Sequence, residues 1–277
     1  MRASVSRTVG TLAGLLLASV LLASVLLASV LLGAAAQESP LPGIPPAERR
    51  SGFDQMAPET RAMQADDTAN PGMLWVRDGA DLFARPPSPG AAPCSGCHTE
   101  AAMRGVAARY PAFDDAAGRP VDLEGRIDLC RTRHQGAAPL PRESHDLLAL
   151  TAYLANLSRG LPLSPPDDPR LAPARREGRR LFATPMGQLG FSCAACHDAL
   201  WGRRLGAATI PQGHPNGYPL YRLEWQDLGS LERRLRNCLT GMRAEPFSPG
   251  SAEVVALTLY LAERAAPLPV ESPAVRP

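Results

Sequence analysis

The chain has 277 residues, 45% of them hydrophobic and 20% charged, with a formal net charge of +2. That is the balance of a globular protein, and no basic excess calls for a nucleic-acid partner. Aromatic residues make up only 5% and cysteines number six, so small cores would need apolar surface from another source.

Arg2 and Arg7 precede an uncharged apolar run from Thr11 to Leu32 with three copies of Leu-Ala-Ser-Val, and then Gly33-Ala34-Ala35-Ala36. Small residues at Ala34 and Ala36 suit a signal peptidase, which makes 1–36 a signal peptide and Gln37 the mature start. The run is also long enough to span a bilayer as an uncleaved anchor. Either reading exports the remainder, with the periplasm the expected location. The 29 prolines gather in connectors, Gln37–Arg50 and Leu161–Pro173. Residues 37–72 therefore read as an N-terminal extension, with a boundary in the second connector separating domains at 73–163 and 164–277.

Each domain carries one motif, Cys94-Ser95-Gly96-Cys97-His98 and Cys193-Ala194-Ala195-Cys196-His197. Two thiols three positions apart followed by an imidazole are what covalent haem c attachment requires: the thiols add to the vinyl groups and the histidine binds iron. A shared zinc site fits poorly, because Cys97 and Cys193 lie 96 residues apart. A thioredoxin-like dithiol would need a βαβ pattern, which is missing. The spacing predicts two covalently bound haem c groups. Each haem would also supply apolar surface to its core.

Segments around the motifs repeat. Gly79, Leu82, Phe83, Ala84 and Pro86 recur 99 positions later as Gly178, Leu181, Phe182, Ala183 and Pro185. Leu123, Glu124, Arg126 and Cys130 recur 108 later as Leu231, Glu232, Arg234 and Cys238. Ser144 and the run through Leu150, Tyr153 and Leu154 recur 107 later as Ser251, Leu257, Tyr260 and Leu261, each serine reading as the cap of a closing helix. The expected fold is mainly α, two tandem cytochrome c-like domains related by an internal repeat.

The second axial position of each iron needs a donor. Met103 follows His98 by five residues and reads as lying on the same local helix as that ligand. His134, His145, His214 and Met242 have no counterpart in the other half. The repeat places only cysteine in both halves, Cys130 and Cys238, although two spare cysteines in an exported protein can also pair as a disulfide. Arg126 and Arg234 precede them by four residues, on one helical face. Arg233, Arg236 and Arg243 make the second half more basic, where a small dianion would collect beside an activated thiol.

The run Leu231–Cys238, then Arg243-Ala244-Glu245-Pro246-Phe247 and Leu257–Ala262, resembles the SoxA family of periplasmic thiosulfate oxidation, and the likeness covers nearly the whole mature chain. The resemblance implies an L-cysteine S-thiosulfotransferase that joins thiosulfate to a cysteine of the SoxYZ carrier, working with a monohaem SoxX subunit and passing two electrons to cytochrome c. It implies Cys130 and His98 as ligands of the first iron, and His197 and Cys238 as ligands of the second. It further implies Cys94, Cys97, Cys193 and Cys196 as thioether anchors, Cys238 as the catalytic persulfide-bearing cysteine and Arg234 as the substrate-binding residue. A dihaem electron-transfer cytochrome without sulfur chemistry, or a dihaem peroxidase, are the competing readings of the motifs.

Overall fold

The computed structural model describes residues 43–277, so the signal peptide read over 1–36 lies outside the described residues. The α-helices are α1 (Pro58–Ala65), α2 (Met73–Ala84), α3 (Glu100–Met103), α4 (Leu123–His134), α5 (His145–Asn156), α6 (Ala172–Ala183), α7 (Cys193–His197), α8 (Leu231–Gly241) and α9 (Ala252–Ala265). Short strands are interspersed: β1 (Ala112–Asp114), β2 (Arg119–Val121), β3 (Arg204–Leu205), β4 (Ala208–Thr209), β5 (Leu220–Arg222), β6 (Asp227–Gly229) and β7 (Ala274–Arg276). The fold is mainly α. Among the described residues no helix is long and apolar enough to cross a membrane.

Helix starts follow the chemistry of their first residues. Asp122, Ser144, Ser230 and Ser251 each accept a hydrogen bond from the backbone N–H three positions on, at the heads of α4, α5, α8 and α9. Each such cap stabilises its helix by about 1 kcal/mol. Helices α5 and α9 are apolar on nearly all sides, and both are buried. Against them pack α2 and α6, which meet their partners at glycine. A Cβ on Gly79 would run into the Ala149 carbonyl and come within 2.8 Å of the Tyr153 Cβ. A Cβ on Gly178 would meet the Ala256 carbonyl and approach the Tyr260 Cβ to 2.7 Å. One aromatic pair closes each crossing, Phe83 with Tyr153 at 5.4 Å and Phe182 with Tyr260 at 5.3 Å between centroids.

Elements also match between motif and closing helix. Tyr110–Pro111 and Tyr218–Pro219 are both cis. Each leads into a two-stranded antiparallel hairpin, β1–β2 or β5–β6, in the same register, and then into α4 or α8. The shift from an offset of 99 to one of 108 corresponds to nine extra residues after the second motif, where the β3–β4 hairpin and the Pro211 loop lie.

The proline-rich connector over Leu161–Pro173 is hydrogen-bonded into the body at its start. Leu163 N–H donates to the Leu268 carbonyl at 3.0 Å, and Val270 N–H donates to that of Leu161 at 2.9 Å. Extended straps and free linkers share a composition, and what separates them is whether their backbone groups find partners. The tail then ends in β7, parallel to β5, where Val275 N–H donates to Gln64 of α1 at 3.1 Å.

A cavity of about 120 Å³ lies among α4, α5, α8 and α9, lined by matched residues that include Tyr110 with Tyr218 and Glu124 with Glu232. Arg142 reaches into this region, its Nη1 lying 2.7 Å from Asp122, 3.0 Å from Glu124 and 3.6 Å from Glu232. Three carboxylates share one guanidinium, so burial wins over attraction. Burial, then Asp122, pushes Glu124 from the usual 4.5 up to about 8, against the pull of Arg142. A raised carboxyl pKa favours the folded state while the group stays protonated, and that contribution is lost as pH rises from about 4.5 through about 8. Glu124→Gln should therefore flatten the fall of Tm across this window, measured by thermal denaturation at several pH values. Parallel curves for the variant and the parent protein would contradict it.

Candidate functional site

The two motifs are held differently. Cys94–Gly96 form a single 3-10 turn, and Thr99 then caps α3 separately, so Met103 is not on the helix of His98 as its spacing suggested. Met103 packs instead against the core of the first half. In the second half the motif itself is helix α7, capped by Ser192. The Pro211 carbonyl lies 2.7 Å from His197 Nδ1. A carbonyl can only accept, so Nδ1 carries the proton and Nε2 keeps a free lone pair, the arrangement iron ligation needs. Burial also pushes the ring's pKa down, which favours the neutral form. Gly213, at φ +74°, lets the loop pass the ring, since a Cβ there would sit 3.0 Å from His197 Cγ.

Arg264 secures this half. Its guanidinium donates to the His197 carbonyl at 3.1 Å, to Asp198 and to the Gln212 carbonyl, and it lies 4.9 Å from the Phe182 ring centroid. Neither Pro211 nor Arg264 has a counterpart in the repeat, so comparison of the halves could not find them.

Cys130 lies on α4 and Cys238 on α8, each one turn after its arginine. All six cysteines are free, so Cys130 and Cys238 are not joined as a disulfide. Burial raises the Cys94 thiol, and nearby Cys130 adds to that. Burial pushes Cys193 up to about 11, with Cys238 the next cause, and Cys196 is raised by the same two. Each helix cysteine thus lies within electrostatic reach of its own motif. Leu189, Phe191 and Leu200 expose 44%, 50% and 47% of their surface around the second motif. A porphyrin anchored at Cys193 and Cys196 would lie against such apolar side chains, so donors and surface both fit a haem. Among the described residues no three His, Cys, Asp or Glu side chains gather as a metal cluster, so the two cysteine pairs do not converge on one ion.

Two of the unmatched donors, His145 and His214, have side-chain partners of their own. His145 Nε2 lies 2.9 Å from Asp78, and His214 Nε2 lies 2.9 Å from Gln212 Oε1. Met242 caps α8, its N–H bonded to the Cys238 carbonyl at 3.0 Å.

The arginines divide sharply. Arg126 Nη1 donates to Asp114 at 2.6 Å, and Arg133 donates to the same carboxylate at 2.9 Å. Arg234 is half-buried and its guanidinium has no hydrogen bond or ion pair among the described residues, yet its charge is felt at His197 and Tyr218. Its neighbours are less free than the sequence suggested. Arg233 stacks 4.3 Å from the Trp225 centroid and pairs with Asp227 at 3.2 Å, and Arg236 leans toward Glu232 at 3.9 Å. Only Arg243 among them stays exposed without such a partner among the described residues.

Comparison with known proteins agrees with these features. The sequence pattern of the SoxA/TsdA cytochrome c domain matches residues 78–163 and 177–270. The L-cysteine S-thiosulfotransferase subunit SoxA of Pseudaminobacter salicylatoxidans is 39% identical over 88% of this chain and 85% of its own length. Its namesake in Rhodovulum sulfidophilum is 36% identical over 83% and 80%. The crystal structure of SoxXA from P. pantotrophus superposes with a TM-score of 0.79 at 31% identity, covering 83% of this chain and 87% of that one. With matched helices, two haem motifs and sustained identity along most of its length, the chain belongs to the SoxA family, built on the SoxA/TsdA cytochrome c domain.

Proposed function

We propose that this chain is the SoxA subunit of an L-cysteine S-thiosulfotransferase, a dihaem cytochrome c that acts at its second haem. The observation that carries the reading is Arg234, an unpaired, half-buried guanidinium one helical turn before Cys238. Its relatives' names supply the activity and a SoxX partner. Cys94 and Cys97, and Cys193 and Cys196, would hold the two haems. His98 with Cys130, and His197 with Cys238, would supply the iron ligands. Domains at 73–163 and 164–277 are tandem copies of one unit, which the repeated glycine crossings and hairpins support. The apolar N-terminal run directs the chain to the periplasm.

Thiosulfate is a dianion, and Arg234 supplies the charge and the fork of donors that an oxyanion group needs. Cys238 receives the sulfane sulfur: a thiolate and thiosulfate join as Cys–S–S–SO₃⁻ with release of two electrons. The thiolate of the SoxYZ carrier then attacks that sulfane sulfur and displaces Cys238, so the carrier keeps the thiosulfonate and the cysteine returns. Haem bound at these residues would supply one-electron chemistry, by which the two electrons could leave singly for an external cytochrome c.

The test is reconstitution with the monohaem partner, the carrier, thiosulfate and oxidised cytochrome c. Cytochrome reduction should require every component, and the carrier cysteine should gain one thiosulfonate by mass spectrometry. Reduction that ignores the carrier and leaves it unmodified would favour a simple electron-transfer cytochrome.

A further inference from the structure

Both halves build the same trio on the cysteine side of the motif. A tyrosine follows the loop, an arginine stands on the next helix, and a cysteine comes one turn later. Tyr110 feels Arg126 and Cys130, as Tyr218 feels Arg234 and Cys238. A fourth position completes each set, the last residue of the first hairpin strand, twelve residues before the arginine. In the first half it is Asp114, paired across the hairpin with Arg119. In the second it is Arg222, paired in the same register with Asp227. The backbone register is conserved between the halves and the charge at this position is inverted.

The consequences differ on the two sides. Asp114 is buried and accepts from Arg126 at 2.6 Å, from Arg133 at 2.9 Å and from Ala117 N–H at 2.7 Å. The guanidinium of the first half therefore already has its anion, supplied by the chain. In the second half Gly241 stands where Arg133 would be, and Arg222 where Asp114 would be. Arg222 Nε donates to Glu224 at 2.9 Å, a carboxylate that is itself 66% exposed, and its guanidinium lies 5.4 Å from the Trp225 centroid. Asp227 is engaged with Arg233, and Arg276 with Glu271 at 2.9 Å. No carboxylate among the described residues neutralises Arg234.

We propose that the Asp114/Arg222 exchange decides which of two matched sites takes the anionic substrate. Asp114 is a built-in counter-anion that closes the site beside Cys130. Arg222 is a positioning residue that keeps the place beside Arg234 open and adds a second positive charge to it. This rests on the reading of Cys238 and Arg234 given above and extends it to the residue that sets the selectivity between halves.

The experiment measures binding before turnover, on the oxidised complex with its monohaem partner. Equilibrium titration with thiosulfate, and with sulfate as a non-reacting oxyanion, is followed by calorimetry and by the electron paramagnetic resonance signals of the two haems. Arg222→Asp should weaken thiosulfate binding roughly tenfold or more, raise KM with a smaller change in kcat, and reduce the salt dependence. Arg222→Lys should retain most of the affinity, which a purely structural role for the Arg222–Trp225 stack would not allow. Asp114→Asn frees Arg126, so oxyanions should now perturb the first haem's signal, which stays silent in the parent protein. Unchanged covalent haem content and circular dichroism check that each variant is folded. Equal affinity in Arg222→Asp and the parent protein would overturn the proposal, as would equal losses in the Asp and Lys variants. If the parent complex binds no thiosulfate, the reading of the active site falls and this proposal falls with it.

Discussion

Cys238→Ala should abolish thiosulfate-dependent reduction of cytochrome c and transfer to the carrier cysteine, a loss of roughly a thousandfold or more for removal of a covalent nucleophile. Both haems should remain attached, because the cysteines proposed to anchor them, Cys94, Cys97, Cys193 and Cys196, are left in place. The fold should survive as well. Cys238 is half-buried on the exposed side of α8, away from the tightly packed Leu239, and loss of one sulfur there falls within the ordinary range of about 1 kcal/mol. Its equivalent, Cys130, stands at the same place on α4 but beside an arginine whose charge Asp114 has taken up. The electron paramagnetic resonance spectrum should lose the thiolate-type signal of one haem only. When the parent protein is oxidised with thiosulfate in the absence of the carrier, the peptide containing Cys238 should carry an added thiosulfonate that a reductant removes. Full activity in Cys238→Ala, with the loss appearing in Cys130→Ala, would move the chemistry to the first haem.

In the sequence the repeat acts as an internal control on the candidate site. A residue present in both halves, such as Cys130 and Cys238, is separated from one that is merely available, such as Met242. Serine caps, closing helices and the opening glycine helices could be read for the same reason, since each pattern occurs twice at a fixed offset. Three things were not legible. Pro211 and Arg264 act through backbone carbonyls and belong to the second half alone, so neither pattern nor comparison marks them. The strap over Leu161–Pro173 was hidden because proline serves extended pairing and free linkers alike. The pairing of Arg233 with Trp225 and Asp227 depends on the β5–β6 turn, which brings residues six and eight positions away against it. The Tyr-Pro pair at offset 108 was a signal in the sequence that could have located Tyr110 and Tyr218 before any coordinates.

Arg234→Gln should cut kcat/KM for thiosulfate by one to two powers of ten, because a charge-assisted contact to an oxyanion in a partly buried site is worth about 2–3 kcal/mol. The same change at Arg126 should do much less to turnover. Arg126 spends its charge on Asp114, and with its side chain 37% exposed, solvent screening leaves that pair a modest contribution to stability. The effect of Arg126→Gln should appear in acid. Hydrogen bonds from Arg133, backbone Ala117 and Arg126, with Arg133 the largest cause, hold Asp114 down at about 2 instead of 3.8. A depressed carboxylate contributes stability above its unfolded pKa and loses it as pH falls from about 3.8 to about 2, so removing Arg126 should narrow that window. The two variants thus separate binding from stability at equivalent positions: steady-state kinetics should single out Arg234, and acid denaturation should single out Arg126. Should Arg234→Gln keep its activity while Arg126→Gln loses it, the unpaired guanidinium is not the substrate's partner, and the asymmetry between the halves needs another cause.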